Sequence, residues 1–335
     1  SKMTFGTRNR YREVVERIAR RTKVDELKVA RKVVEKSLAS RRRDASDRRR
    51  SHIGFYLIDK GVSEIEKEFQ YRPEIAEKAV FFILRHPTFS YLGSTAVLTA
   101  LVVLLLAYSA AYLGAGLPLT IAFAVLSIIP ASDLALSVLN WDFARMVPPR
   151  ILPQIDTTTG IPDEARTFVV IPTLLSSPSV VAELLEKLEV YSLANQDSNL
   201  YFALLTDLSD ASAEELTKDS EIIEAARDGI KALNQKYEQT KYEKFYLFHR
   251  RRQWNEGEQK WMGSERKRGK LEEFNKLLRG DGETSYTGVS ADKKFLKQIK
   301  YVITLDSDTQ LPRDAAHSLI GIAVHPLNRP KFDET

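Results

Sequence analysis

Asp306, Ser307 and Asp308 set two carboxylates one residue apart, directly after the apolar run Tyr301-Val302-Ile303-Thr304-Leu305. Such a run predicts a buried strand. The residues beyond it, with Pro312 near a first turn and Ala315, Leu319, Ile320 and Ala323 on one apolar face, predict a helix. Carboxylates at the carboxyl end of a strand stand where open α/β sheets bind their ligands. A hard divalent cation such as Mg²⁺ takes one or two carboxylates and completes its shell with substrate phosphates. A cation on Asp306 and Asp308 would therefore stabilise a diphosphate as it leaves. The plainer reading is that Asp and Ser sit at a helix start because they accept its free N–H groups.

The elements that must position this pair lie upstream. Continuous apolar runs at 168–171, 200–205 and 244–249 predict strands, and helical periodicity at 179–193, 213–237 and 265–278 fills the gaps. This is a βαβαβ alternation, so an α/β domain with a parallel sheet is expected from residue 166 onward. Three strand ends carry polar residues expected to converge: Thr173 after Pro172, Asp207 with Asp210, and Asp306 with Asp308. In a nucleotide-binding half-sheet an acid after the second strand meets the nucleoside; the alternative for Asp207 is a turn or cap. In WMGSERKRGKLEEFN, the cations Arg266, Lys267, Arg268 and Lys270 surround Gly269. A glycine lets the backbone approach a ligand, and the cations can neutralise a diphosphate; otherwise they form a solvated face. Trp254 and Trp261 are candidates to stack on a sugar or base, or ordinary core. No Gly-x-x-x-x-Gly-Lys-Ser/Thr loop occurs, which excludes an ATPase of that type.

The first half of the chain is different. Residues 1–85 are charged and basic, with Val14, Val15 and Ile18, then Leu27, Val29, Ala30, Val33, Val34 and Leu38, at helical spacing, which predicts two amphipathic helices. Arg41, Arg42 and Arg43, and Arg48, Arg49 and Arg50, suit an anionic lipid surface; the alternative is a solvated helical face. Nucleic acid is not expected, because no stacking aromatics accompany the arginines. From His86 to Ser132 no Asp, Glu, Lys or Arg occurs, and two apolar blocks flank the turn GAGLP. Each supplies the roughly 20 residues that a bilayer crossing needs. The expected hairpin covers residues 86–140, with cation-rich flanks on the cytoplasmic side and the turn outside. Asp133 is placed at the interface. Residues 134–152 read as a helix lying along the membrane surface, broken at Pro148-Pro149, so that 141–165 form an interfacial helix and linker. The chain has 335 residues, a net charge of +5 and no cysteine, which excludes disulfides and thiolate metal sites. It begins without Met, as a piece of a longer protein does.

PASDLALSVLN, VPPRILPQID, GIPDEARTFVVIPTLL, WMGSERKRGKLEEFN, TLDSDTQLP and AVHPLNRP, in that order, resemble the glucosyltransferase region of cyclic β-1,2-glucan synthases, from about Ser51 to Thr335. The resemblance implies a large bacterial inner-membrane protein, multi-pass, with its soluble domain cytoplasmic. It implies an incomplete nucleotide-diphospho-sugar transferase domain of GT-A type over residues 166–335. Such a domain uses UDP-glucose and Mg²⁺ or Mn²⁺ to extend a glucan acceptor with inversion. It further implies Asp306 and Asp308 as the metal and diphosphate pair, and Asp207 as a nucleoside contact. Arg266, Arg268 and Lys270 would lie around the diphosphate; Thr173 joins the donor-binding candidates by its place at a strand end. The base is expected beyond Thr335, in the remainder of the parent polypeptide. The alternatives are a related processive polysaccharide synthase, or a membrane-bound nucleotide-sugar module without chemistry.

Overall fold

The computed structural model describes residues 2–147, 149–237, 241–280, 284–289 and 291–330. The proline step at Pro148 lies outside them. Two compact units share the chain: residues 11–152, and residues 153–335 together with 1–10.

The first unit is helical. It comprises most of α1 (Phe5–Thr22), then α2 (Glu26–Arg43), α3 (Ile53–Ile58), α4 (Val62–Glu68), α5 (Ile75–Arg85), α6 (Pro87–Tyr112) and α7 (Leu117–Met146). Asp25 accepts from the Leu27 N–H and fixes the start of α2. Val29 and Val33 of α2 are buried, as are Ile18 of α1, Phe55, Tyr56 and Leu57 of α3, and Ile65 of α4. Arg49 is tied to a neighbouring acid. Its Nε lies 2.7 Å from the buried Asp59 carboxylate, closing the turn between α2 and α3.

α6 and α7, of 26 and 30 residues, are long and apolar enough to cross a membrane. They pair antiparallel: Tyr91, near the start of α6, donates to Asn140 Oδ1, near the end of α7, at 2.9 Å. The separate surface helix expected after residue 134 does not form. α7 continues unbroken to Met146, with Pro130 inside it, because nothing between 134 and 146 terminates a helix.

The second unit is an α/β sheet in the order β6-β3-β2-β1-β7. In chain order it contains β1 (Thr167–Leu175), α8 (Pro178–Ala194), β2 (Leu200–Leu208), α9 (Asp219–Lys236), β3 (Phe245–Arg250), β4 (Gln253–Asn255), β5 (Lys260–Met262), α10 (Arg266–Arg279), β6 (Tyr286–Val289), α11 (Lys293–Leu296), β7 (Tyr301–Thr304) and α12 (Ala315–Val324). β1, β2, β3 and β7 are parallel, and β6 closes one edge antiparallel to β3. β2 is buried along its whole length, as a strand covered by helices on both faces must be. One face packs Leu184, Leu188, Ala226, Ile230 and Ile320 from α8, α9 and α12. The other packs an aromatic cluster around Phe168, with Phe248 and Phe274 at 5.9 and 5.8 Å between ring centroids.

α12 buries Ala316 and Ile320, while Leu319, expected on its apolar face, is 48% exposed. Residues 1–10 join this unit: Thr7 Oγ1 accepts from the Gln154 N–H at 2.9 Å, and Met3 pairs with Ile155. The chain runs β1, β2, β3 in one direction and then returns to the far side of β1 as β7. The switch point of the sheet thus falls between β1 and β7, at whose carboxyl ends stand Thr173 and Asp306.

Candidate functional site

The ends of β1, β2, β3 and β7 meet the start of α10. Leu305 donates its N–H to Val170 O at 2.9 Å, which carries the β7 register past the strand end and holds Asp306 beside β1. Tyr191 and Lys187 of α8 bond the carbonyls of Thr309 and Ser307 at 2.6 and 3.0 Å, pinning the loop that carries Asp308.

Asp207, at the end of β2, is 2% exposed. Arg250, at the end of β3, grips it with two hydrogen bonds, Nε–Oδ1 2.8 Å and Nη2–Oδ2 2.9 Å. Lys270 Nζ lies 3.2 Å from Asp207 Oδ2 and donates to Thr173 O at 2.5 Å. Arg250 also reaches Glu273 at 2.8 Å, whose other oxygen accepts from Ser285 N and Oγ at 2.7 and 2.6 Å. Two cations and two carboxylates form a closed cluster that ties β1, β2, β3 and α10 together. Burial would pull the Arg250 pKa down, but the hydrogen bonds and charge of Asp207, with Glu273, outweigh it and the pKa is raised. For Lys270 burial wins and its pKa is lowered, against the opposing pull of Asp207. Gly263 is required by this packing: a Cβ there would run into the Asp207 carboxylate. A Cβ on Gly269 would meet the Ser264 carbonyl.

The opening of α10 is more exposed. Glu265 and Arg266 both lie in the left-handed region, at φ 49° and 45°, and no side chain caps the helix. The Arg266 N–H is taken by the Gly263 carbonyl at 3.1 Å, while those of Lys267 and Arg268 have no partner among the described residues and lie at the positive dipole end, where helix starts receive anions. Arg266 reaches Asp210 at 3.0 Å, and Lys267 pairs with Asp306. Arg268 is 75% exposed and, among the described residues, pairs only with Glu265 and Glu272 of its own segment.

Of the residues read from sequence, the structure brings together Thr173, Asp207 and Lys270, and joins Arg266 and Asp306 to the same edge through Asp210 and Lys267. Asp207 does not present a free carboxylate, since both of its oxygens bind protein cations. Asp308 makes no side-chain hydrogen bond or ion pair among the described residues. Trp254 and Trp261 face each other across the β4–β5 hairpin, with ring centroids 5.9 Å apart. Lys267 belongs to the cations read around Gly269, whereas Arg250 and Glu273 escape the sequence reading. The signal for Arg250 is its place in HRRR directly after an apolar strand. Among the described residues no group of three His, Cys, Asp or Glu side chains could hold a metal. The hard-oxygen pair Asp306 and Asp308 still suits a Mg²⁺ or Mn²⁺ ion that completes its shell with ligand phosphates and water.

The chain is 37% identical, over 98% of its length, to the cyclic β-(1,2)-glucan synthase NdvB of Rhizobium meliloti (strain 1021). It matches a segment of a cyclic β-(1,2)-glucan synthase. The resemblance read from the motifs is thereby borne out. The match spans 12% of that relative's length. No family model matches the chain.

Proposed function

We propose that this chain forms the donor-binding part of a membrane-anchored, inverting glucosyltransferase of GT-A type, which transfers glucose from UDP-glucose to a growing β-(1,2)-glucan. The observation that carries the reading is the joining of Asp306, the uncapped start of α10 and its cations at the switch point of a parallel sheet, in a chain related to a glucan synthase.

The diphosphate lies against the first turn of α10, where Arg266 and Lys267 and the free N–H groups neutralise it. Lys270 and Arg250 are positioning residues: they lock α10 to Thr173 and Asp207 so that this turn holds its place. Asp306 and Asp308 would hold a Mg²⁺ or Mn²⁺ ion, which would supply positive charge against the departing diphosphate. An α-linked donor and a β-linked product require one inversion. An acceptor hydroxyl attacks the anomeric carbon opposite the bond to UDP, that bond breaks, and the hydroxyl proton passes to a base that none of these residues supplies. The two apolar helices anchor the unit in the bacterial inner membrane, with the α/β unit cytoplasmic.

Calorimetric titration of the whole chain with UDP-glucose tests the donor site. Binding is expected in Mn²⁺ or Mg²⁺ and not in chelator. Asp308→Ala is expected to lose roughly tenfold or more of the metal-dependent affinity, about 1.4 kcal/mol, with an unchanged thermal midpoint. Equal affinity in chelator and metal would reject the role given to Asp306 and Asp308.

A further inference from the structure

α2 carries two apolar stripes, and only one is used. Val29 and Val33 point into the helical unit and are buried. Leu27, Val34 and Leu38 lie within about 40° of one another on the helix, at 100° per residue. They are 54%, 46% and 48% exposed. Ala30 and Val34 also line a groove of about 570 Å³, with Val15 of α1 opposite. The same angular count places Arg31 and Arg42 along one border of the exposed stripe and Arg41 along the other. None of these three makes a hydrogen bond or ion pair among the described residues, nor does the neighbouring Arg43.

Of the lysines of α2, Lys32 and Lys36 reach Glu68 at 2.9 and 3.2 Å, and Lys28 makes no ion pair among the described residues. The acidic residues lining the groove, Glu16, Asp25 and Glu26, are at the N-terminal end of the stripe, and Glu35 pairs with Lys32. An apolar stripe bordered by free arginines is the pattern of a helix that lies in a membrane interface among anionic headgroups. The rest of the unit points the same way. α5 ends one residue before the membrane-length helix α6, and its Phe81, Phe82 and Leu84 are also exposed. Water is a poor neighbour for so many apolar side chains.

We propose that α2 docks through Leu27, Val34 and Leu38 onto an anionic lipid bilayer, with Arg31, Arg41 and Arg42 binding the headgroup phosphates. This rests on the membrane reading of α6 and α7. It adds to that reading a second, in-plane contact whose strength depends on lipid charge.

The chain has no cysteine, so single cysteines report cleanly. The whole chain is reconstituted with an environment-sensitive fluorophore at Val34→Cys, Leu38→Cys, Ala39→Cys or Leu104→Cys. The vesicles are of brominated phosphatidylcholine, alone or mixed equally with phosphatidylglycerol. The expected result is quenching at 104 in both vesicles, quenching at 34 and 38 only in the mixed vesicles, and none at 39. The 34 and 38 signals should fade in high salt. Replacing Arg31, Arg41 and Arg42 by Gln should lower the engaged fraction, by roughly fivefold in its ratio for each arginine.

Quenching at 104 with silence at 34 and 38 would overturn the proposal and leave the membrane reading intact; silence at 104 would overturn both. A blue shift at 34 and 38 without lipid quenching would mean that protein covers the stripe, and equal quenching in neutral vesicles would remove the role of the arginines. Either of those results sinks the proposal.

Discussion

Two aspartates end two strands of the same sheet, each after an apolar run, and they stand in opposite surroundings. The side chain of Asp207 is 3% exposed and bonded to Arg250 and Lys270, whereas that of Asp306 is 55% exposed and, among the described residues, holds Lys267 alone. The difference follows from sheet position. β2 is central, flanked by β1 and β3, so its end is roofed by the loop at Gly263 and by α10. β7 is at the edge, and its end opens outward. A carboxylate enclosed in this way serves the fold, and one left open can serve a ligand.

The contrast should be largest in stability. Asp207→Ala leaves Arg250 and Lys270 buried without their shared partner and is expected to cost about 3–5 kcal/mol. Asp306→Ala removes an exposed pair and should cost no more than about 1 kcal/mol. Denaturant unfolding of the two variants checks this, and comparable losses would erase the distinction between the corners.

The buried corner should also be the acid-sensitive one. His249, 4% exposed and bonded to Thr206 Oγ1 at 2.9 Å, has its pKa pushed from 6.5 down to about 4 by burial. Asp207 pulls it back up, while Arg227, Lys270 and Arg252 push it further down. Between those two pH values the unfolded chain takes up a proton that the folded chain refuses. The contribution is therefore intact above pH 6.5 and lost as pH falls toward 4, about 3 kcal/mol in all. Unfolding free energy measured from pH 7 down to 4.5 should fall less steeply for His249→Asn than for the parent chain; parallel slopes would assign the acid sensitivity elsewhere.

The smallest stability effect belongs to the open corner. Lys267→Met should change stability by less than about 0.5 kcal/mol. By releasing Asp306, it should raise the affinity for Mn²⁺ in the absence of nucleotide several-fold. The free Mn²⁺ spin-resonance signal reads this directly, and an unchanged or weaker affinity would show that Lys267 does not compete for the carboxylate.

Much of the sheet was legible because buried parallel strands are continuous apolar runs, and β1, β2, β3 and β7 each begin within one residue of where such a run begins. What escaped was short or polar. β6 is four residues, Tyr286–Val289, with a glycine among them, and an edge strand needs no apolar run. The β4–β5 hairpin has only the facing tryptophans to mark it. α9 starts at Asp219 and not at 213, because Asp219 is drawn into a buried pair with Arg252. The position of Asp207 at a strand end was readable. Its role was not, since it depends on Arg250 and Lys270, 43 and 63 residues later in the chain, meeting at one corner. Local pattern identifies the strand end, and only the assembled sheet decides which ends are covered.

The consecutive left-handed residues Glu265 and Arg266 carry a last consequence. Each side chain in that conformation costs about 1–2 kcal/mol that glycine would not. A sequence selected for ruggedness alone would have glycine or asparagine there. Charged residues at the mouth of α10 hold the loop away from its own conformational optimum, so under the proposed diphosphate role stabilising substitutions and ligand binding at this spot would pull in opposite directions.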